Sequence, residues 1–279
     1  MKGCEEMTFL VLQSDFGIID GAVSAMVGVA LKVDPTLSIH HVTHEIKPYS
    51  PFEASYRLIQ VIPYWPNECV FVSVVDPGVG TQRKSIVVKL KSGQLIVTPD
   101  NGSVTHLREL IDEVKIISKK HYHSHQSSTF HGRDLYAYIG AKLASGQLSF
   151  EEIGDNLEID DLQFVPLIPV LVSDDKVIGN VDVLDSRFGS LWSSIDEKEF
   201  MTLGYEIGDF VKVSLYNSGQ LVYQNEVLFG HSFSDVGIGS PVVYINSLKK
   251  VSIAINQGHF SQAYGIETGH QWEVVFQRD

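Results

Sequence analysis

Apolar positions along this chain fall into two textures. In the first, unbroken apolar runs alternate with segments of helical spacing. Phe9-Leu10-Val11-Leu12 stops at the polar Gln13-Ser14-Asp15-Phe16-Gly17, and residues 20–31 then read as a helix rich in small side chains. A run with no alternation is what a strand buried on both faces requires, so strand, polar loop and helix predict the first half of a βαβ unit. Residues 38–42 predict a second strand. Residues 50–62 predict a helix with Phe52, Tyr56 and Ile59 inward, and Ser50, Pro51 and Glu53 have the spacing of an N-cap, a first-turn proline and a capping box. The run 69–75 predicts a central strand that ends abruptly in Asp76-Pro77-Gly78, and 85–90 and 94–97, joined by Lys91-Ser92-Gly93, predict a hairpin. Residues 104–111 and 135–144 predict further helices.

From about residue 165 the texture changes to short strands separated by Gly, Asn-Ser and Asp-Ser turn signals, at 177–184, 210–216, 221–228, 241–245 and 251–255. That spacing predicts a small β-barrel or sandwich. The expected organisation is an α/β domain with a mainly parallel sheet over 8–165, a linker over 166–174 and a small β-barrel domain over 175–279. The length of 279 residues fits two domains better than one.

Composition narrows the function classes. Net charge is −13, which argues against a nucleic-acid footprint or an anionic membrane as partner. Cys4 and Cys69 are the only cysteines, too few for a disulfide framework or a thiolate metal site, and a reducing cytoplasm fits them. The first eight residues do not read as a signal peptide, and no stretch approaches a membrane span.

The candidate chemistry lies in the loops. Asp15, Asp76, Asp100, Asn101, His131 and Arg133 all fall at predicted strand ends, where open α/β sheets bind ligands. Arg83 follows Asp76 by seven residues. Each has a purely structural reading as well: Asp-Pro-Gly and Asp-Asn-Gly are turn signals, and Arg133-Asp134 a surface pair. Their common placement favours a site. An Asp, an Arg and a His together can hold a water and accept or relay its proton. The neighbouring Arg is expected to depress the Asp pKa, which suits aiming a water at a strong electrophile better than ionising it. Gly78-Val79-Gly80 lacks the third glycine and the following helix of a dinucleotide fingerprint. Ser14-Asp15-Phe16-Gly17 contains a kinase tripeptide without the other kinase motifs. His121, His123 and His125 alternate, but sit among lysines and polar residues and read as a solvated loop. No metal site and no cofactor are expected.

Four ordered motifs carry a resemblance: Gln13-Ser14-Asp15-Phe16-Gly17, Val75-Asp76-Pro77-Gly78-Val79-Gly80-Thr81, Thr98-Pro99-Asp100-Asn101-Gly102 and Thr129-Phe130-His131-Gly132-Arg133-Asp134. With Asp185-Ser186-Arg187-Phe188-Gly189, Ser232-Phe233 and Ile245-Asn246-Ser247, the chain resembles the S-adenosyl-L-methionine hydroxide adenosyltransferases, hydrolase relatives of fluorinating and chlorinating enzymes. The resemblance implies attack of water on the ribose C5′ of S-adenosylmethionine, releasing adenosine and L-methionine. It also implies a homotrimer with sites between the N-domain of one subunit and the C-domain of the next. It assigns the water-holding trio to Asp76, Arg83 and His131, and the ribose hydroxyls to Asp15. The methionine amine falls to Asp20 and Asp185, the methionine carboxylate to Ser247, and an aromatic beside the ribose to Tyr49. Phe130, Gly132, Phe188, Ser190, Phe233 and Asn246 complete the implied substrate contacts. The chain departs from the halogenating branch: it has a tight turn at Lys91-Ser92-Gly93 instead of an insertion, keeps the trio, and has Gly132 in place of a halide-binding serine. Ser190 replaces an adenine-facing Asn, Ser193-Ser194 a Thr-Asn pair, and Leu248 an arginine of halogenating members. A chloride-using halogenase and a non-catalytic adenosine or S-adenosylmethionine binding module are the alternatives; an intact trio disfavours both.

Overall fold

The computed structural model describes residues 9–123 and 129–278; Cys4, His125 and Ser128 lie outside the described residues. The chain divides into two compact units, Met1–Val165 and Pro166–Asp279. The first is the α/β unit. Strands β1 (Phe9–Ser14), β2 (Ser38–Thr43), β3 (Val70–Val74), β4 (Ser85–Leu90), β5 (Leu95–Pro99) and β6 (Ile111–Ile116) form one sheet in the order β2-β1-β3-β5-β4-β6. β2, β1, β3 and β5 are mutually parallel, and β4 runs antiparallel to both of its neighbours. The sheet is buried on both faces. Leu10, Leu12, Val70 and Val72 pack under helix α1 (Ala22–Val33) and helix α3 (Tyr138–Ala144), while Val11, Phe71, Ile86 and Ile96 pack with Leu58 of helix α2 (Pro51–Val61). This is the geometry that unbroken apolar runs require.

The start of α2 follows the expected pattern with one change. Ser50 Oγ accepts the Glu53 N–H at 3.2 Å and Pro51 takes the first helical position. The Glu53 carboxylate, however, takes the Lys47 N–H at 3.1 Å and Arg57 at 2.9 Å instead of closing a capping box. Two expected helices are corrected. Residues 105–110 form a 3₁₀ turn that leads directly into β6, and the helix ending at Ala144 opens with a π-helical stretch, Gly132–Ala137.

The second unit is a closed β-barrel. β8 (Lys176–Leu184), β9 (Leu191–Asp196), β10 (Phe210–Asn217), β11 (Gln220–Phe229), β12 (Pro241–Ile245), β13 (Lys250–Ile255) and β14 (Trp272–Gln277) form a ring that closes by the β14–β8 pairing. A two-residue strand β7 (Leu171–Val172), inside the segment expected as a linker, pairs with β8. Closure removes the free edges that an open sheet would expose. Short helices α4 (Glu197–Phe200) and α5 (Phe260–Tyr264) plug the barrel, and Phe200 and Phe260 are fully buried in its core.

Candidate active site

The C-terminal ends of β1 and β3 and the start of the π-helical stretch meet at a cavity of about 310 Å³. Asp15, Phe16, Pro48, Tyr49, Asp76, Val79, Thr129, His131 and Gly132 line it. Four of the loops singled out by sequence thus play distinct parts. The loop after β1 supplies Asp15, whose Oδ2 accepts the Tyr49 N–H at 3.0 Å. Tyr49 is 75% exposed, lines the cavity and has φ +64°, a strained conformation for a non-glycine residue. The loop after β3 supplies Asp76. The loop after β5 braces it: Asn101 Nδ2 donates to the Val75 carbonyl at 2.9 Å, next to Asp76, and buried Asp100 accepts the Gln163 N–H at 2.8 Å. The fourth supplies His131 and Gly132.

Arg83 Nη2 donates to Asp76 Oδ2 in a short charge-assisted contact, and both side chains are largely buried, 12% and 5% exposed. Arg83 Nη1 donates to the Lys84 carbonyl at 2.5 Å. Among the described residues, three buried atoms of this group have no hydrogen-bond partner: Asp76 Oδ1, Arg83 Nε and His131 Nδ1. Buried polar atoms are normally hydrogen-bonded, so these donors and acceptors are fit to hold a small polar species. The sequence-based expectation for Asp76 is reversed. Burial is the largest influence and raises its pKa above the ordinary carboxylate value, against the opposing pull of the Arg83 charge and hydrogen bond, of His131 and of the Gly78 N–H. Asp76 is therefore a better proton acceptor than a surface carboxylate.

Sequence reasoning missed Tyr136. Its hydroxyl accepts from Arg83 Nη2 at 3.0 Å and lies 2.9 Å from Ser85 Oγ. Its only sequence signal is a phenol within an apolar run, Leu135-Tyr136-Ala137. A second missed network pins the Asp15 loop: Ser14 Oγ meets His44 Nδ1 at 2.7 Å, and His44 Nε2 meets His41 Nδ1 at 2.7 Å. His44 is buried, which lowers its pKa to about 4 with further help from His41.

Other expected site residues lie outside the cavity. Asp20 is exposed and its Oδ1 accepts the Ala22 N–H at 2.9 Å, at the entry to α1. Phe130 packs edge-on against Phe16 at 5.9 Å, with the Arg133 guanidinium over its ring at 4.8 Å. Arg133 forms a double hydrogen bond to Asp134 at 2.7 Å, the pair anticipated from sequence. His121 contacts the Glu152 carbonyl at 2.8 Å, and the His123 ring sits edge-on to Tyr138 at 4.6 Å. Among the described residues, no group of three or more His, Cys, Asp or Glu is arranged to hold a metal ion, and no helix is long and apolar enough to cross a membrane.

In the barrel unit, Asp185, Phe188 and Ser190 share one turn. Asp185 Oδ1 accepts the N–H groups of Arg187 and Phe188 at 2.9 and 2.7 Å, and the Ser190 carbonyl accepts the Asp185 N–H at 2.9 Å. Phe188 is left 67% exposed. Buried Ser190 hydrogen-bonds Tyr244, which also engages Trp192 and Ser252, and Phe233 packs edge-on against Tyr244 at 5.0 Å. Asn246 braces the β12–β13 turn, donating to Ser252 Oγ at 3.0 Å and accepting from the Leu248 and Lys250 N–H groups; Ser247 beside it is exposed. Ser190, Phe233 and Asn246 form one polar and aromatic cluster through Tyr244 and Ser252, with Asp185 and Phe188 on the adjoining turn and Ser247 next to Asn246 in the chain.

Comparison with known proteins identifies the family of both units. Residues 10–154 match the SAM hydroxide adenosyltransferase N-terminal domain and residues 179–273 the C-terminal domain. A protein of Methanocaldococcus jannaschii named (R)-S-adenosyl-L-methionine hydrolase is 35% identical over 212 residues, covering 74% of each chain. One of the same name from Salinispora tropica is 30% identical over 270 residues, covering 94% of this chain and 95% of the other. The crystal structure of an uncharacterized conserved protein from Thermotoga maritima superposes with a TM-score of 0.87 at 31% identity, over 96% of this chain and all of that one. With both domain models matched in order and both units folded as the motifs imply, the chain belongs to the SAM hydroxide adenosyltransferase family.

Proposed function

We propose that this protein hydrolyses S-adenosyl-L-methionine to adenosine and L-methionine. The observation that carries the reading is the buried Asp76–Arg83 pair at the cavity, with Asp76 Oδ1, Arg83 Nε and His131 Nδ1 unpartnered among the described residues. In the reaction, a water oxygen forms a bond to the ribose C5′ while the C5′–S bond breaks, its electron pair returning to sulfur to give the neutral thioether of methionine. The water proton leaves through Asp76, with His131 orienting the water or relaying the proton. Arg83 holds Asp76 and the water oxygen. A sulfonium is already a good leaving group, so positioning and exclusion of bulk water supply most of what the step needs.

Asp15 is assigned to the ribose hydroxyls: one carboxylate oxygen is anchored by the Tyr49 N–H, and a carboxylate can accept two neighbouring hydroxyls. Tyr49 is assigned to the ribose edge, Phe130 and Gly132 to the cavity wall, and Asp20 to the methionine amine. The barrel cluster of Asp185, Phe188, Ser190, Phe233, Asn246 and Ser247 is assigned to the adenine and methionine ends, brought to the cavity in a homotrimer. A cytoplasmic setting belongs to the same reading. One incubation tests it: purified protein with S-adenosylmethionine, with and without chloride, and chromatography of the nucleosides. Adenosine is the expected product; a chlorinated nucleoside, or intact substrate bound without turnover, overturns it. For the assembly, activity is expected in trimer fractions and lost on dilution to monomer, and an active monomer would remove that part.

A further inference from the structure

The Asp76–Arg83 pair rests on a side chain that never reaches the cavity. Tyr136 is fully buried in the π-helical stretch. Its hydroxyl lies 3.0 Å from Arg83 Nη2, 2.9 Å from Ser85 Oγ and 3.5 Å from Asp76 Oδ2. Ser85, the first residue of β4, is itself buried. A phenol has one proton to donate and lone pairs to accept with, and a guanidinium only donates. Arg83 therefore fills one lone pair, and the phenol proton has two acceptors to choose between. With Asp76 ionised, Ser85 donates to Tyr136 and Tyr136 to the carboxylate; with Asp76 protonated, the phenol turns to Ser85, whose hydroxyl reverses. For packing alone phenylalanine would serve, since burying an unpaired hydroxyl is costly. Here the hydroxyl is paired with the two groups on which the reaction depends.

We propose that Tyr136, backed by Ser85, is a positioning residue for the hydrolysis: it fixes the Arg83 guanidinium and Oδ2 of Asp76 from the buried side, so that Oδ1 is the oxygen presented to the attacking water. This rests on the hydrolase reading above. The charged and titratable groups that act on Asp76 are Arg83, His131 and Tyr136; Asp100, at the end of β5, in turn feels Arg83 and Lys84. Burial raises the Tyr136 pKa far above its ordinary value, so it remains a neutral donor throughout.

The test compares wild type, Tyr136→Phe and Ser85→Ala in three measurements: kcat and KM for S-adenosylmethionine against pH, thermal unfolding, and the side-chain carboxyl ¹³C titration of Asp76 in substrate-free protein, assigned with Asp76→Asn. Tyr136→Phe is expected to lower kcat about 10- to 100-fold with KM within about twofold. Losing a donor to the charged form moves both the acid limb of kcat and the Asp76 titration to higher pH. Ser85→Ala shifts both in the same direction by less. A folded Tyr136→Phe with unmoved kcat, acid limb and carboxyl titration overturns the inference, as does a kcat loss that merely follows the unfolded fraction. Wild type that does not turn over S-adenosylmethionine refutes the hydrolase reading instead, and the carboxyl titration then decides the Tyr136–Asp76 coupling by itself.

Discussion

Gly189 sits where the barrel's Asp185 turn meets α5, and its replacement by alanine is the most direct test of how that turn is held. Its φ is +63°, and a Cβ there would lie 1.8 Å from His259 Nδ1. Holding a non-glycine residue in the left-handed region costs about 1–2 kcal/mol. Relieving the clash requires moving His259, whose Nδ1 caps α5 by accepting the Gln262 N–H at 3.3 Å and contacts Ser261 Oγ at 3.2 Å. Loss of such a cap costs about 1 kcal/mol. The Ser261 N–H also donates to the Gly189 carbonyl at 3.0 Å, so the shift spreads to both sides of the junction. Together the terms give roughly 2–3 kcal/mol, which for a unit of this size corresponds to a Tm lowered by roughly 10 °C. Differential scanning calorimetry of Gly189→Ala reads it directly. His259→Ala in the same chain removes the clash but not the backbone strain, so the double variant is expected to be more stable than the sum of the single losses predicts. The Asp185 turn would be displaced, so KM for S-adenosylmethionine is expected to rise more than kcat falls. A Tm within about 2 °C of wild type, or strictly additive single and double variants, would refute the reasoning.

Three further outcomes are expected. Asp76→Asn and His131→Ala each lower kcat by about two or more orders of magnitude with KM nearly unchanged, as loss of proton-transfer groups does; steady-state kinetics checks this, and an unimpaired Asp76→Asn would remove Asp76 from the chemistry. His44, with a folded pKa of about 4 against an ordinary 6.5, takes up its proton more readily when unfolded, so stability is lost as pH falls from about 6.5 to about 4, by on the order of 2–3 kcal/mol; denaturant titrations across that range should show it, and His44→Asn should flatten the slope. Gly132→Ser places a Cβ 2.8 Å from the Phe16 ring, at the cavity wall, so Phe16 must swing and KM is expected to rise several-fold without any chloride-dependent product.

The parallel strands and their loops were legible because burial on both faces leaves no alternation to misread and the polar loops end each run abruptly. Strand β6 was not. As an edge strand it carries Asp112 and Glu113 outward, where they face Lys89 of β4 at 4.0 and 2.7 Å, and those charges hid its apolar positions. Strand β9 was hidden by Ser193, a hydroxyl buried completely because it donates to the Val251 carbonyl at 2.7 Å. Strand β14 shows Trp272, Val274 and Phe276 inward at every second position, yet carries no flanking signal strong enough to single it out. In the candidate site, the motifs singled out Asp76 and His131, which line the cavity, and Arg83, which pairs with Asp76, whereas the direction of the Asp76 pKa shift was not legible, because a neighbouring charge is visible in a sequence and desolvation is not. Tyr136 lies 53 residues from Arg83 and looks like core until the fold brings the two together.

The π-helical stretch from Gly132 to Ala137 has one more consequence. A π turn holds one residue more than the α turn it interrupts, and each residue of an α-helix advances about 100° around the axis. Deleting a single residue there would restore a regular helix with its flanks in nearly their present angular phase, because four α steps of about 100° span roughly what five π steps do, so the widened turn beside the cavity would be lost while the rest of the helix kept its face. The extra residue thus sets the width of the turn that carries Gly132 to the cavity wall without redirecting the helix behind it.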